Sequence, residues 1–174
     1  MEKKLYTISV YTENNLGLLN RISTIFVKRH INIESLTVSK TEIEDVSRFI
    51  VVVNMTEEAV KKIIGQIDKQ IEVIKTYYHT DDEIIFNETA MFKFRSELLF
   101  EEPQIQNIIK ENNMQIVTVN KTFFVIEKAG RRHEIDSLYE AFIPYGIAQF
   151  VRSGRVAISK EAMNIRQILG EITK

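Results

Sequence analysis

Hydrophobic positions change period along this chain in a repeated order. In residues 5–11 they alternate, with Tyr6, Ile8 and Val10 on one face and Thr7 and Ser9 on the other. A two-residue period predicts a half-buried strand. Glu13-Asn14-Asn15-Leu16-Gly17 carries turn chemistry. Leu18, Leu19, Ile22, Ile25 and Phe26 then recur at helical spacing. They predict an amphipathic helix over roughly 17–29, with Asn14 or Asn15 as its N-cap. Residues 32–39 and 46–54 read as a hairpin about the polar turn 42–45. Val60, Ile63, Ile64 and Ile67 mark a second helix after Thr56, with Glu58 near its start as the helix dipole prefers. Residues 71–79 read as a fourth strand. The order is βαββαβ.

After the polar, acidic residues 80–83, which read as a connector, the order begins again. Residues 88–97 alternate around Ala90, Phe92 and Phe94. Ile105, Ile108 and Ile109 lie on one face of a helix predicted over 101–112, with Pro103 in its first turn. Strands 114–119 and 123–127 flank the tight Asn120-Lys121 turn. Ile135, Leu138, Tyr139 and Phe142 mark a helix, and 147–152 a closing strand that 156–158 extends. Residues 162–172 predict a short terminal helix. The fold class expected is α+β, two tandem ferredoxin-like (βαββαβ) domains at 1–80 and 81–160, with a tail at 161–174. Helices on one side of each sheet leave its other face open, and edge strands carry unpaired backbone groups. Both features favour a dimer or a subunit of a larger complex.

Composition removes several alternatives. The chain has 174 residues, 44% hydrophobic and 27% charged, with a formal net charge of -1. That is the profile of a globular chain, without the basic balance of a dedicated nucleic-acid binder. It contains no Cys and 3 His. Disulfides, thiolate metal sites and a Cys nucleophile are therefore absent, and the separated His30, His79 and His133 lack metal-ligand spacing. No apolar run approaches the roughly 20 residues of a membrane span. The N-terminal stretch turns polar too early for a signal peptide, and a cytoplasmic location is expected. Glu101-Glu102 and Asp81-Asp82-Glu83 fall at an expected helix start and connector, where solvated acids are ordinary. Of Phe123 and Phe124, one ring is expected in the core and the other on the open sheet face. Arg131-Arg132 and Arg152 with Arg155 are small basic groups, and no Gly-rich phosphate loop accompanies them. No nucleophile–base pair is evident, and no enzymatic activity is expected of the chain alone.

The turn before the first helix is the informative segment. Backbone N–H groups at a helix start are free to bind an anion such as a carboxylate. The amides of Asn14 and Asn32 suit an ammonium, Gly17 permits close approach, and Leu16 and Leu18 offer apolar surface. Two readings fit this spacing. Either the turn holds a small zwitterion, or Asn14-Asn15 simply caps the helix and Gly17 eases its first turn.

The stretch TENNLGLLNRISTIFVKRHINIESLTVSKT contains Asn14, Gly17, Leu19, Arg21, Ile22 and the run Asn32-Ile33-Glu34-Ser35-Leu36-Thr37-Val38. It resembles an ACT domain, and specifically the small regulatory subunits of acetohydroxyacid (acetolactate) synthase. The later Ser47-Arg48 pair, Glu88 to Phe94, Pro144-Tyr145-Gly146-Ile147 and Arg152-Ser153-Gly154-Arg155 fit the same family. The segment Ala129-Gly130-Arg131-Arg132 is only loosely similar to it. The resemblance implies a non-catalytic subunit that activates a thiamine-diphosphate-dependent catalytic subunit and confers feedback inhibition by valine in branched-chain amino acid biosynthesis. It implies no cofactor on this chain, with thiamine diphosphate, Mg and FAD on the catalytic subunit. It also implies a homodimer through the ACT domains, with no nucleic acid and no membrane as partners. Its effector positions fall on Asn14, Gly17 and Asn32, contributed by different protomers, with Asn15, Leu16, Leu18 and Ile33 as neighbours. The alternative from another class is a free-standing tandem ACT-type amino-acid sensor or transcriptional regulator, for which no helix is convincingly basic.

Overall fold

A computed structural model describes residues 2–172, the last three of these by backbone alone. Two compact units account for them. The first takes the chain up to Phe86 and again from Arg155, and the second is Asn87–Gly154. The compact units therefore differ at their edges from a simple division at residue 80. Of the expected tail, residues 173–174 lie outside the described residues.

In the first unit β1 (Lys4–Glu13), α1 (Leu18–Val27), β2 (Ile33–Lys40), β3 (Val46–Met55), α2 (Glu57–Ile67) and β4 (Val73–Thr80) follow in order. The strands form an antiparallel sheet in the order β2-β3-β1-β4. The helical period explains the packing. Leu18, Ile22 and Phe26 of α1 and Val60, Ile63 and Ile67 of α2 are buried. They pack on Tyr6, Ile8, Val10, Phe49, Val51 and Val53 of the central strands. Burying each such aliphatic or aromatic side chain is worth about 1.5–3 kcal/mol. Thr56 caps α2 by accepting the Ala59 N–H at 3.3 Å.

β1 departs from the half-buried pattern. Thr7, Ser9, Tyr11 and Thr12 are buried as well as Tyr6, Ile8 and Val10. The reason lies at the far end of the chain. Arg155, 3% exposed, donates to Thr7 Oγ1 at 2.8 Å and Asp81 Oδ1 at 2.6 Å. Leu169 of a last helix (Ile165–Ile172) packs with Tyr11 and Val46. The face of the first sheet expected to stay open is thus partly covered by the chain's own return. Asp81-Asp82-Glu83 forms a 3₁₀ turn in which Asp82 and Glu83 stay exposed, as expected of a connector, while Asp81 turns to Arg155. Glu83 accepts from the Thr80 backbone and hydroxyl, which holds the carboxyl below its ordinary pKa.

The second unit repeats the order. β5 (Ile84–Arg95), whose first three residues belong to the first unit, is followed by α3 (Glu97–Glu101), α4 (Pro103–Glu111), β6 (Gln115–Val119), β7 (Phe123–Gly130), α5 (Arg132–Phe142) and β8 (Gln149–Arg152). The sheet order is β6-β7-β5-β8. Phe92, Phe94, Phe124 and Phe142 are fully buried, with stacked or tilted ring contacts. Phe123 instead lies under the Lys93 ammonium, 4.2 Å from the ring centre. The helix expected over 101–112, with Pro103 in its first turn, is α4, and the short α3 before it is an additional element. Pro103 has no N–H to continue a preceding helix and instead occupies the opening of α4. β9 (Val156–Ser159) does not extend β8 but pairs with β5, and with it the chain rejoins the first unit. α6 (Ile165–Ile172) is the terminal helix, shorter at its start than expected.

Candidate functional site

The turn between β1 and α1 is built by backbone bonds. Asn14 N–H donates to the Asp45 carbonyl at 2.9 Å, and Asn14 Oδ1 accepts from Ser47 Oγ at 3.3 Å. Asn15 folds back on Glu13, donating from its backbone to the Glu13 carbonyl and from Nδ2 to Oε2. Neither asparagine caps the helix, contrary to the sequence expectation. Gly17 is the N-cap, with φ 80 and ψ -3, and no side chain caps α1. A backbone bond from Arg21 N–H to the Gly17 carbonyl closes the first turn at 3.2 Å. The N–H groups at the head of α1 therefore have no side-chain acceptor, the arrangement in which a helix start can take an anion.

Gly17 is required here by its left-handed φ, which L side chains adopt at a cost. It is not required by crowding, since a Cβ at this position would meet nothing within 4 Å. Leu18 is 1% exposed and belongs to the core, so its side chain offers no surface at the turn. Leu16 is fully exposed. Arg21 pairs with Glu72 Oε1 at 2.5 Å, which fastens the first turn of α1 beside β4 and lowers the Glu72 pKa. Asn14 lines a cavity of about 290 Å³ with Glu44 and Asp45, two acids that sequence reasoning passed over as a polar turn. Asp45 has a positive φ, and its carbonyl accepts the Asn14 N–H.

Asn32 lies past the other end of α1. Its Nδ2 donates to Glu34 Oε1 at 3.3 Å, and Ile33 packs at the margin of the core. The intervening helix has 10 residues, about 15 Å at 1.5 Å per residue. Within one chain Asn14 and Gly17 are thus not brought together with Asn32. Asn32 lines a different groove, with Lys3, Arg29 and His30.

The other sequence candidates are occupied structurally. Arg152 is bonded to Asp136, with Glu88 3.8 Å from its Nε. The Arg131 backbone N–H donates to Glu134. His79 stacks on Tyr77. Among the described residues no group of His, Asp or Glu could hold a metal ion, and no helix is long and apolar enough to cross a membrane.

The first of the two α+β units thus carries a helix that starts at a glycine without a side-chain cap. Residues 8–75 match the model of the AHAS small subunit-like ACT domain, and 87–161 match that of the small subunit of acetolactate synthase. The acetolactate synthase small subunit of Bacillus subtilis is 36% identical over 91% of both chains. That of Mycolicibacterium smegmatis is 32% identical over 89% of this chain and 91% of its own. The crystal structure of the small subunit from Thermotoga maritima shares the fold, with a TM-score of 0.82 over 92% of this chain and 99% of that one at 22% identity. The chain belongs to the family of acetolactate synthase small subunits. It is therefore one component of that enzyme and not the catalyst by itself.

Proposed function

We propose that this chain activates the catalytic subunit of acetolactate synthase and makes it sensitive to feedback inhibition by a branched-chain amino acid, valine foremost. The observation that carries the reading is the head of α1, where backbone donors without a side-chain cap stand beside Asn14 and the acids Glu44 and Asp45. The donors suit a carboxylate, and the amide oxygen and acids suit an ammonium. The site is shared between two copies. Asn32 immediately precedes β2, which is the edge strand of its sheet and exposes Leu36 and Val38. Pairing of two such edges brings Asn32 of one copy toward Asn14 and Gly17 of another, which a single chain does not do. Asn15, Leu16 and Ile33 border that crevice. The side chain of Leu18 supports it from the core.

Inhibition follows if the ligand-bridged dimer activates less well than the unbridged one, since a ligand shifts an equilibrium only through unequal affinities. Coupling of this kind is typically about 1–3 kcal/mol. Thiamine diphosphate, Mg and FAD belong on the catalytic partner. The test is reconstitution with the cognate catalytic subunit, assayed with and without valine, leucine and isoleucine. Calorimetric titration of Asn14→Ala, Asn32→Ala and Gly17→Asp accompanies it. Weakened valine affinity with activation retained is the expected outcome. Unchanged affinity in all three variants removes the site.

A further inference from the structure

The face of the first sheet turned away from its helices carries two arginines, and they are treated differently. Arg155 has a carboxylate: its Nη1 sits 2.6 Å from Asp81 Oδ1. Arg48 has none. Its Nη2 donates to Ser9 Oγ at 3.1 Å and to the Ala157 carbonyl at 2.6 Å, and its guanidinium lies 5.4 Å from the centre of the Tyr11 ring. Its Nε is buried without an acceptor. Among the described residues no carboxylate is paired with it. A half-buried cation held by neutral groups alone retains an unbalanced charge, which is costly to keep away from water.

A cavity of about 70 Å³ adjoins Arg48, between the sheet face and the returning segment that contains Ala157 and Ser159. Its polar lining includes several groups able to donate. Ser9, Tyr11, Tyr77 and Ser159 supply hydroxyls, and His79 a ring N–H. Burial pushes the Tyr11 and Tyr77 phenols above their ordinary pKa, so both remain protonated donors at neutral pH. The acid in the lining, Glu161, is exposed. By the space one water needs, the volume holds about five heavy atoms. It is too small for a nucleotide.

We propose that this cavity binds a small oxyanion of about phosphate or short-carboxylate size, with Arg48 as its counter-ion. The site is distinct from the α1 turn. Its ligand neutralises Arg48 and joins the sheet to the return segment through shared hydrogen bonds, so occupancy stabilises the docked form of residues 155–159.

The test uses the full chain. Thermal melts are recorded against inorganic phosphate and against acetate, each matched in ionic strength with sodium chloride. Binding is then measured by calorimetry. A saturable rise in melting temperature is expected with one or both anions. Phosphate alone identifies a tetrahedral ligand, and acetate alone a carboxylate. Arg48→Gln should weaken binding at least tenfold, while Arg95→Gln, in the second unit, should leave it unchanged. If Arg48→Gln fails to fold, Tyr77→Phe removes one donor and should weaken binding about threefold or more. No saturable response to either anion beyond that to chloride overturns the proposal. So does undiminished binding in the Arg48→Gln or Tyr77→Phe chain.

Discussion

Arg155 donates to Asp81 Oδ1 at 2.6 Å across 74 residues of sequence. The same Nη1 donates to Thr7 Oγ1 at 2.8 Å, the Arg155 backbone N–H donates to Ser35 Oγ at 3.3 Å, and the guanidinium lies 3.7 Å from the centre of the Phe86 ring. From the sheet side, Arg48 reaches the Ala157 carbonyl. The return segment is therefore fastened from both directions, by one arginine on the segment and one on β3.

Arg155→Met should lower stability by about 2–3 kcal/mol, because a buried donor set is removed while Thr7 and Asp81 lose their partner. Asp81→Asn should cost less, since Asp81 is partly exposed and an amide oxygen can still accept. Urea melts of both single variants and the double variant check this. A coupling energy near zero would show that the two residues act independently.

Removing the packing at the last helix gives a second measure. Leu169 is fully buried against Tyr11 and Val46. Leu169→Ala should cost about 2–3 kcal/mol, near the low end for buried leucine because a terminal helix can relax. Hydrogen exchange should accelerate in residues 165–169 before it does in β1 or β3. Uniform acceleration across the first unit would mean that the helix and sheet unfold together.

Gly17 separates conformational cost from charge. Gly17→Ala should destabilise by about 1 kcal/mol through the left-handed φ alone, since its Cβ meets no atom. Gly17→Asn should cost less, because Asn tolerates that region. Thermal melts give the stability order, and valine titration shows whether Gly17→Asp loses binding beyond what Gly17→Ala does. Equal loss in both would assign the effect to backbone strain instead of repulsion of a carboxylate.

The helical and strand periods made most of this architecture legible. Ile22, Phe26, Val60, Ile63 and Ile67 occupy the core positions their spacing implies, and Phe92 and Phe94 do likewise in the second unit. What the periods could not carry was long-range contact. Thr7 and Ser9 look solvent-facing because they are polar, yet they are buried by residues that lie more than a hundred positions away for Arg155 and Ala157. Nor did the periods mark the five-residue helix α3 ahead of Pro103, which is too short to show a helical period. At the candidate site the spacing located the turn. It did not distinguish a capping asparagine from a glycine N-cap, because that depends on one φ angle. Nor did it separate Leu18, which turns inward, from Leu16, which does not.

Acid should act on the anchor of α1 in a defined window. Glu72 accepts from Arg21, and this hydrogen bond holds its carboxyl below the ordinary value. A carboxylate with a depressed folded-state pKa binds protons less readily in the native chain than in the unfolded one. Its contribution is therefore fully present above the unfolded value, about 4.3 for glutamate, and is lost as pH falls through the lower folded value. Glu72→Gln should melt below the wild type by a constant margin from pH 7 to about 5, and that margin should shrink below about 4.3. Added salt should narrow it at neutral pH, since the Arg21 side chain is 45% exposed. Melts of the two chains across this range decide the matter: a margin independent of pH would show that Glu72 acts through packing and not through its charge.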